Sequence, residues 1–241
     1  MDRKFEPVLS PGAAVPAPVP QRAEIALDQS RVLRNTYWLL ALAMLPTVAG
    51  AAAGMQLNFI ALFKAAPIMT PLGMFALMLG SLFVVTRLRN SSWGVLALFA
   101  FTFISGLMLT PILTVAAGFR NGGQLVALSG GLTAAVFFAL AAYATLSKRD
   151  FSFLGKFLFV GLILLVLGAL ANLFFQVPAA SLTISAIAVV IFAGYILYDV
   201  SQVVNGGETN YIMATLSIYI DIYNIFVNLL NLLLAFAGNR D

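Results

Sequence analysis

The chain has 241 residues, of which 61% are hydrophobic and only 9% charged, and its mean hydropathy is +0.99. A water-soluble globule this apolar has too little polar surface to cover itself, so the composition implies a polytopic membrane protein. Thirteen Lys and Arg against nine Asp and Glu give a net charge of +4, an excess that in a membrane protein reports orientation and gives no ground for nucleic-acid binding. Histidine and cysteine are both absent. That removes disulfides, thiol nucleophiles, Ser-His relays, His- or Cys-ligated haem and the common zinc sites. Carboxylates, amides, hydroxyls and main chain remain, so a pH response near neutrality falls to a carboxylate in an unusual setting. Neither an enzymatic activity nor a resident cofactor is expected.

In chain order, residues 1–30 are a different material from the rest. Pro7, Pro11, Pro16, Pro18 and Pro20 stand among Ala and Val, which favours extended, solvated chain. The expected division is a disordered Pro-rich cytoplasmic tail over 1–30 and a membrane domain over 31–241. Within the leader, residues 23–34 carry Ile25, Leu27, Val32 and Leu33 at a spacing that also suits a short surface helix, a reading weaker than a solvated leader. The layout lacks the basic-then-apolar order of a cleavable signal, so residue 35 onward reads as an uncleaved first span.

A hydrocarbon core about 30 Å thick needs ~20 helical residues, and seven segments reach that length: 35–57, 66–86, 92–112, 125–146, 153–175, 180–203 and 211–237. The fold class is therefore all-α, with seven transmembrane helices. Breaks fall at turn-forming residues, among them Gly122-Gly123, Pro178 and Gly206-Gly207. With the N-terminus in the cytoplasm, that side receives Arg3, Lys4, Arg22, Arg31, Arg34, Arg87, Arg89, Lys148, Arg149 and Lys156, while Lys64, Arg120 and Arg240 face out. The bias of ten against three predicts an inside N-terminus and an outside C-terminus, although the polarity of the last segment also fits a re-entrant or shallow element with the C-terminus inside. Gly50-x-x-x-Gly54 and Gly130-Gly131 read as sites of close helix packing, Pro46 and Pro111 as bends or ends, and Asn172 as a satisfied interhelical bond. Tyr37, Trp38 and Trp93 read as interfacial anchors.

The informative anomaly is near the C-terminus. Between Phe157 and Asn239 the charged residues are Asp199, Glu208 and Asp221, with no base among them. A carboxylate in hydrocarbon costs roughly 2.5–3.5 kcal/mol even on a lenient insertion scale, so two intramembrane aspartates imply a use. Ser217, Asp221, Asn224, Asn228 and Asn231 recur at spacings of four, three, four and three, which places all five on one stripe of the last helix. For the asparagines, interhelical hydrogen bonding explains the stripe equally well; for Asp221 it does not. The last two spans form a hairpin in which Asp199 and Asp221 lie at depths of roughly 10 and 14 Å, close enough to meet across facing helices. Two carboxylates in one low-dielectric site cannot both ionise cheaply and titrate as a pair. Such a pair shares a proton, accepts a hard cation transiently (Ca2+ among them) with help from amide and carbonyl oxygens, or is neutralised by a base from another span. Arg87, at the cytoplasmic end of the second span, is the candidate base, against its plainer reading as a positive-inside anchor.

Gly206-Gly207-Glu208-Thr209-Asn210-Tyr211-Ile212, followed by Ala214-Thr215, Ser217, Tyr219, Tyr223-Asn224-Ile225-Phe226 and Leu229-Leu230, resembles the C-terminal signature of the Bax inhibitor-1/YccA family. Val32 to Tyr37 (VLRNTY) and Arg149 to Gly155 (RDFSFLG) add to the resemblance, which covers about residues 32–236. It implies seven helices with the last one central and wrapped by the other six. It implies two activities that need not coincide. Calcium-leak members carry a pH-sensitive pair of aspartates on the last two helices, matched here by Asp199 and Asp221, with a basic latch on the second helix for which Arg87 is the guess. YccA-type members are linked instead to modulation of the membrane AAA protease FtsH in the bacterial inner membrane. In that subgroup, polar residues other than aspartate often fill one or both aspartate positions, and this chain departs from the habit. The expectation is a pH-sensitive calcium or cation leak gated by the pair, with a non-enzymatic modulator of FtsH as the alternative. An intramembrane aspartyl protease is remote, because Asp221 follows Tyr219-Ile220 where that class carries Gly-x-Gly. Expected partners are the lipid bilayer, calcium or protons, and FtsH.

Overall fold

The computed structural model describes residues 19–147 and 149–238, which form nine helices and no strand. These are α1 (Val19–Gln56), α2 (Ile60–Ala65), α3 (Met69–Leu88), α4 (Trp93–Met108), α5 (Thr110–Ala117), α6 (Gly122–Ser147), α7 (Leu154–Phe175), α8 (Pro178–Val204) and α9 (Tyr211–Gly238). Seven helical stretches are long and apolar enough to cross a membrane, one of them the α4–α5 pair taken together as Trp93–Ala117. The chain is an integral, all-α membrane protein of seven spans. Residues 1–18, which hold most of the expected tail, lie outside the described residues. Helix α1 already begins at Val19, ahead of the boundary drawn near residue 30. Pro20 falls in its first turn, where a missing N–H costs nothing.

The breaks have local causes. Asn58 takes φ 53°, a left-handed conformation that asparagine tolerates better than most residues, and the expected 58–65 loop then contains the short α2. Pro111 sits in the first turn of α5 and bends the third span at Leu109. Gln176, at φ 52°, ends α7 and donates its N–H to the Asn172 carbonyl at 2.8 Å. The Asn172 side chain accepts the Val177 N–H at 2.9 Å, so it caps its own helix and is not the interhelical bond expected of it.

Helix α9 is the core of the bundle. Along it, no residue from 212 to 235 is exposed, and it packs against α1, α4, α5, α6 and α8. Helices α3 and α7 take outer places, packed chiefly on α4 and on α8 respectively. The expected wrap by six spans is thus a wrap by four, with two in a second layer that presents Phe83, Phe157 and Leu164 outward. Where α1 crosses α4, the Gly50 position touches the Phe103 carbonyl and the Gly106 position touches the Thr47 carbonyl, backbone against backbone. Gly50 and Gly54 therefore do serve close packing, because a side chain at Gly50 would meet α4 and one at Gly54 would meet Thr110. Gly130 and Gly131 do not: a Cβ at either would meet nothing within 4 Å.

Candidate functional site

The site is built on the α8–α9 hairpin, whose turn is tightly held. Gly206 adopts φ 79°, a conformation for which glycine is the residue without steric cost. The Gly207 and Glu208 N–H groups both donate to the Gln202 carbonyl, at 2.7 and 3.1 Å. Glu208 Oε1 accepts the Asn210 N–H at 2.7 Å. Asn210 Oδ1 then accepts the Ile212 and Met213 N–H groups at 3.0 and 3.1 Å, capping α9. The Asn210 amide donates to the Arg89 carbonyl and to Asn90 Oδ1, both at 2.9 Å, which fastens the turn to the α3–α4 junction. The GGETN motif is thus a clamp that fixes the register of the two helices carrying the aspartates.

Asp199 lies five residues before the end of α8 and Asp221 ten residues into α9, depths of roughly 8 and 15 Å at ~1.5 Å per residue. Their carboxyl groups face each other across the helix contact, close enough for a hydrogen bond once one carries a proton. Asp221 is only 3% exposed, and its Oδ2 has no hydrogen-bond partner among the described residues. The charged groups that bear on the pair are all acidic: each aspartate on the other, and Glu208 on Asp199. Tyr195, one turn back along α8, is within electrostatic reach of both. Arg87 is exposed at the end of α3, a helix packed chiefly on α4, and it is not among the charged groups that bear on either aspartate. Among the described residues no three acids converge as a closed metal cage.

The rest of the polar stripe divides. Asn231 reaches α8, donating to Ser185 Oγ at 2.9 Å and Ser181 Oγ at 3.4 Å, and so acts as interhelical glue. Asn224 and Asn228 instead donate back to their own helix, to the Ile220 and Asn224 carbonyls at 2.8 Å each. Ser217 lies half-buried on the same face, towards the hairpin turn. Sequence reasoning missed the role of Tyr219, which lies two residues before Asp221 and is 1% exposed. Its hydroxyl bonds Thr47 Oγ1 at 2.8 Å and approaches the Thr102 carbonyl at 3.5 Å. The ring meets Phe101 edge-on at 5.9 Å and stacks on Tyr223 at 6.2 Å. A buried phenol must find a partner, but which threonine on which span supplies it depends on the bundle and is not readable from spacing.

The family model described as "Inhibitor of apoptosis-promoting Bax1" matches residues 29–239. The chain belongs to the Bax inhibitor-1/YccA family. Within that family it is 41% identical over 209 residues to the Escherichia coli K12 protein named modulator of FtsH protease YccA, covering 86% of this chain and 91% of that one. It is 40% identical over 218 residues to an uncharacterised membrane protein of Vibrio cholerae, covering 90% of this chain and 95% of the relative. A Pseudomonas aeruginosa protein is 41% identical over 216 residues, with 89% and 93% covered. The resemblance read from the GGETNYI and YNIF motifs is therefore membership, and the match of residues 29–239 takes in both aspartates and the clamped turn of this Bax inhibitor-1 chain.

Proposed function

We propose that this Bax inhibitor-1 family protein is a pH-sensitive cation leak, with calcium as the ion, whose gate is the Asp199–Asp221 pair. The observation that carries the reading is the pair itself: two facing intramembrane carboxyls on which only acids bear among the described residues, with one oxygen buried and unpartnered. At lower pH the pair holds a shared proton and little net charge. With rising pH both groups ionise, and their repulsion in a low-dielectric setting is relieved by taking up a cation or by separating. This reading takes its orientation from the charge bias, with the hairpin turn on the cytoplasmic side and the C-terminus outside, in a bacterial inner membrane. In liposomes loaded with a calcium dye, the protein should give a flux that depends on pH and that Asp199→Asn or Asp221→Asn alters. Equal flux for wild type and both variants refutes the proposal.

A second reading is favoured by the relative named as a modulator of FtsH protease: regulation of a membrane AAA protease by contact, without catalysis. The two readings are compatible, since one concerns the pair and the other the surface and the N-terminal segment. Deleting residues 2–22 tests a tail-dependent version. Co-purification with the protease and the protein's own half-life should both fall out of their wild-type range, and no change in either removes the tail from the mechanism.

A further inference from the structure

The Asp199–Asp221 pair sits below a turn that brings a third acid to it. Gln202 is three residues beyond Asp199 on α8, hence on the same helix face, and its carbonyl binds the Glu208 N–H at 3.1 Å. This hydrogen bond holds the Glu208 main chain at the end of α8, three residues and so about one helical turn beyond Asp199. Only one oxygen of Glu208 is engaged by the turn, Oε1 with the Asn210 N–H at 2.7 Å. Glu208 is half-buried and is the outside charge that bears on Asp199. The carbonyl end of α8 points the same way and adds the negative end of its dipole. Among the described residues, Arg89 and Arg149 touch this region through their main chains, Arg89 at Asn210 and Arg149 at Ser201 and Asn205, and Gln29 of α1 lies against Gly206. Both arginine side chains are exposed, and neither is among the charges that bear on the aspartates. At the inner end, Asp221 Oδ2 is buried and unpartnered among the described residues.

We infer that Glu208 is the capture residue of a stepwise acidic path, taking a hard divalent cation at the α8–α9 turn and passing it to Asp199 and then Asp221. The inference rests on reading the pair as a cation site. The three acids do not close into one cage, so the ion is handed along the α8 face and held by one or two carboxylates at a time, with carbonyl oxygens and water completing its shell. Glu208 sets how readily the ion arrives, and the buried pair sets whether it continues.

The test uses Tb3+ as the probe on the detergent-purified full chain, read by luminescence sensitised from nearby tyrosines such as Tyr195, together with calcium flux in liposomes. Glu208→Gln keeps the Oε1 acceptor that holds the turn and removes only the charge. It should weaken Tb3+ binding by about threefold to tenfold, the size expected for losing one carboxylate opposite a multivalent ion in a partly solvated site. It should also raise the half-saturating calcium concentration for flux while leaving the plateau near wild type. Asp150→Asn removes an exposed acid from the neighbouring α6–α7 turn and should leave both readouts unchanged. Unchanged Tb3+ affinity in Glu208→Gln overturns the inference, as does an equal loss in Asp150→Asn, which would mean general surface charge, or no Tb3+ binding by wild type at millimolar probe. Glu208-dependent binding in a protein without flux keeps the capture site and refutes the leak.

Discussion

Replacing Asp221 by asparagine should make the protein more stable. Asp221 is buried in the middle of the bundle, and its Oδ2 has no partner among the described residues; leaving such a group unsatisfied costs about 1–3 kcal/mol. The side-chain amide introduced by Asp221→Asn would offer an N–H2 donor across the helix contact to the Asp199 carboxylate, converting an acceptor–acceptor contact into a hydrogen bond of similar size. A net gain of about 1–3 kcal/mol corresponds to roughly 2–10 °C in the melting midpoint of a chain this long. On the proposed pH-sensitive reading of the pair, the gain should grow from pH 5 to pH 8, because carboxylate repulsion requires both wild-type groups ionised, whereas a shared proton already supplies the missing bond. Thermal unfolding in detergent at the two pH values, followed by intrinsic fluorescence of Trp38 and Trp93, measures this directly. A variant less stable than wild type, or a gain independent of pH, would show that the pair is held by something other than its own proton.

Other expectations follow from single contacts. Gly106→Ala places a methyl against the Thr47 carbonyl and 2.9 Å from the Ala51 nitrogen, so it should lose about 1–3 kcal/mol by forcing α1 from α4; Gly131→Ala, with open space around it, should gain about 0.5–1 kcal/mol, and thermal melts of the two should move in opposite directions. Tyr219→Phe deletes the hydroxyl bonded to Thr47 at 2.8 Å and should lose about 0.5–1.5 kcal/mol, with a double-mutant cycle against Thr47→Val giving coupling of that size and a null cycle showing the bond to be idle. At the membrane surface, hydrogen bonds from the Ser152 side chain and N–H hold the Asp150 carboxyl below its ordinary 3.8. A depressed folded value means that the contribution of this turn is complete above 3.8 and disappears as pH falls through the lowered value; an NMR titration should show Ser152→Ala moving Asp150 back up.

The spans are legible in the sequence because twenty-residue apolar runs and Gly or Pro breaks are local properties. The facing of Asp199 and Asp221 is legible for a related reason: a hairpin with a short turn fixes depth by counting residues. What depends on three dimensions is not. Depth alone brings Arg87 near the pair, yet depth says nothing about which helix neighbours which, and α3 is an outer helix. The Gly130-Gly131 pair imitates a packing motif at positions where a Cβ would meet nothing within 4 Å. Asn224 and Asn228 have the spacing of interhelical glue but bond their own backbone, a choice set by the space opposite them. Tyr219 stands within the family motif, but its partners come from the first and third spans, more than a hundred residues away in sequence.

The backbone contact between α1 and α4 supplies the molecule with a ruler. With Gly50 and Gly106 each pressed against a carbonyl of the other helix, these two spans cannot slide without a clash, whereas the α8–α9 contact includes two side chains, Asp199 and Asp221, that can change protonation. Spin labels on the outward-facing Leu45 of α1 and Leu96 of α4 would therefore keep one separation at every pH. Distances from either of them to a third label at the exposed Val190 of α8 would then read any movement of α8 against a fixed origin.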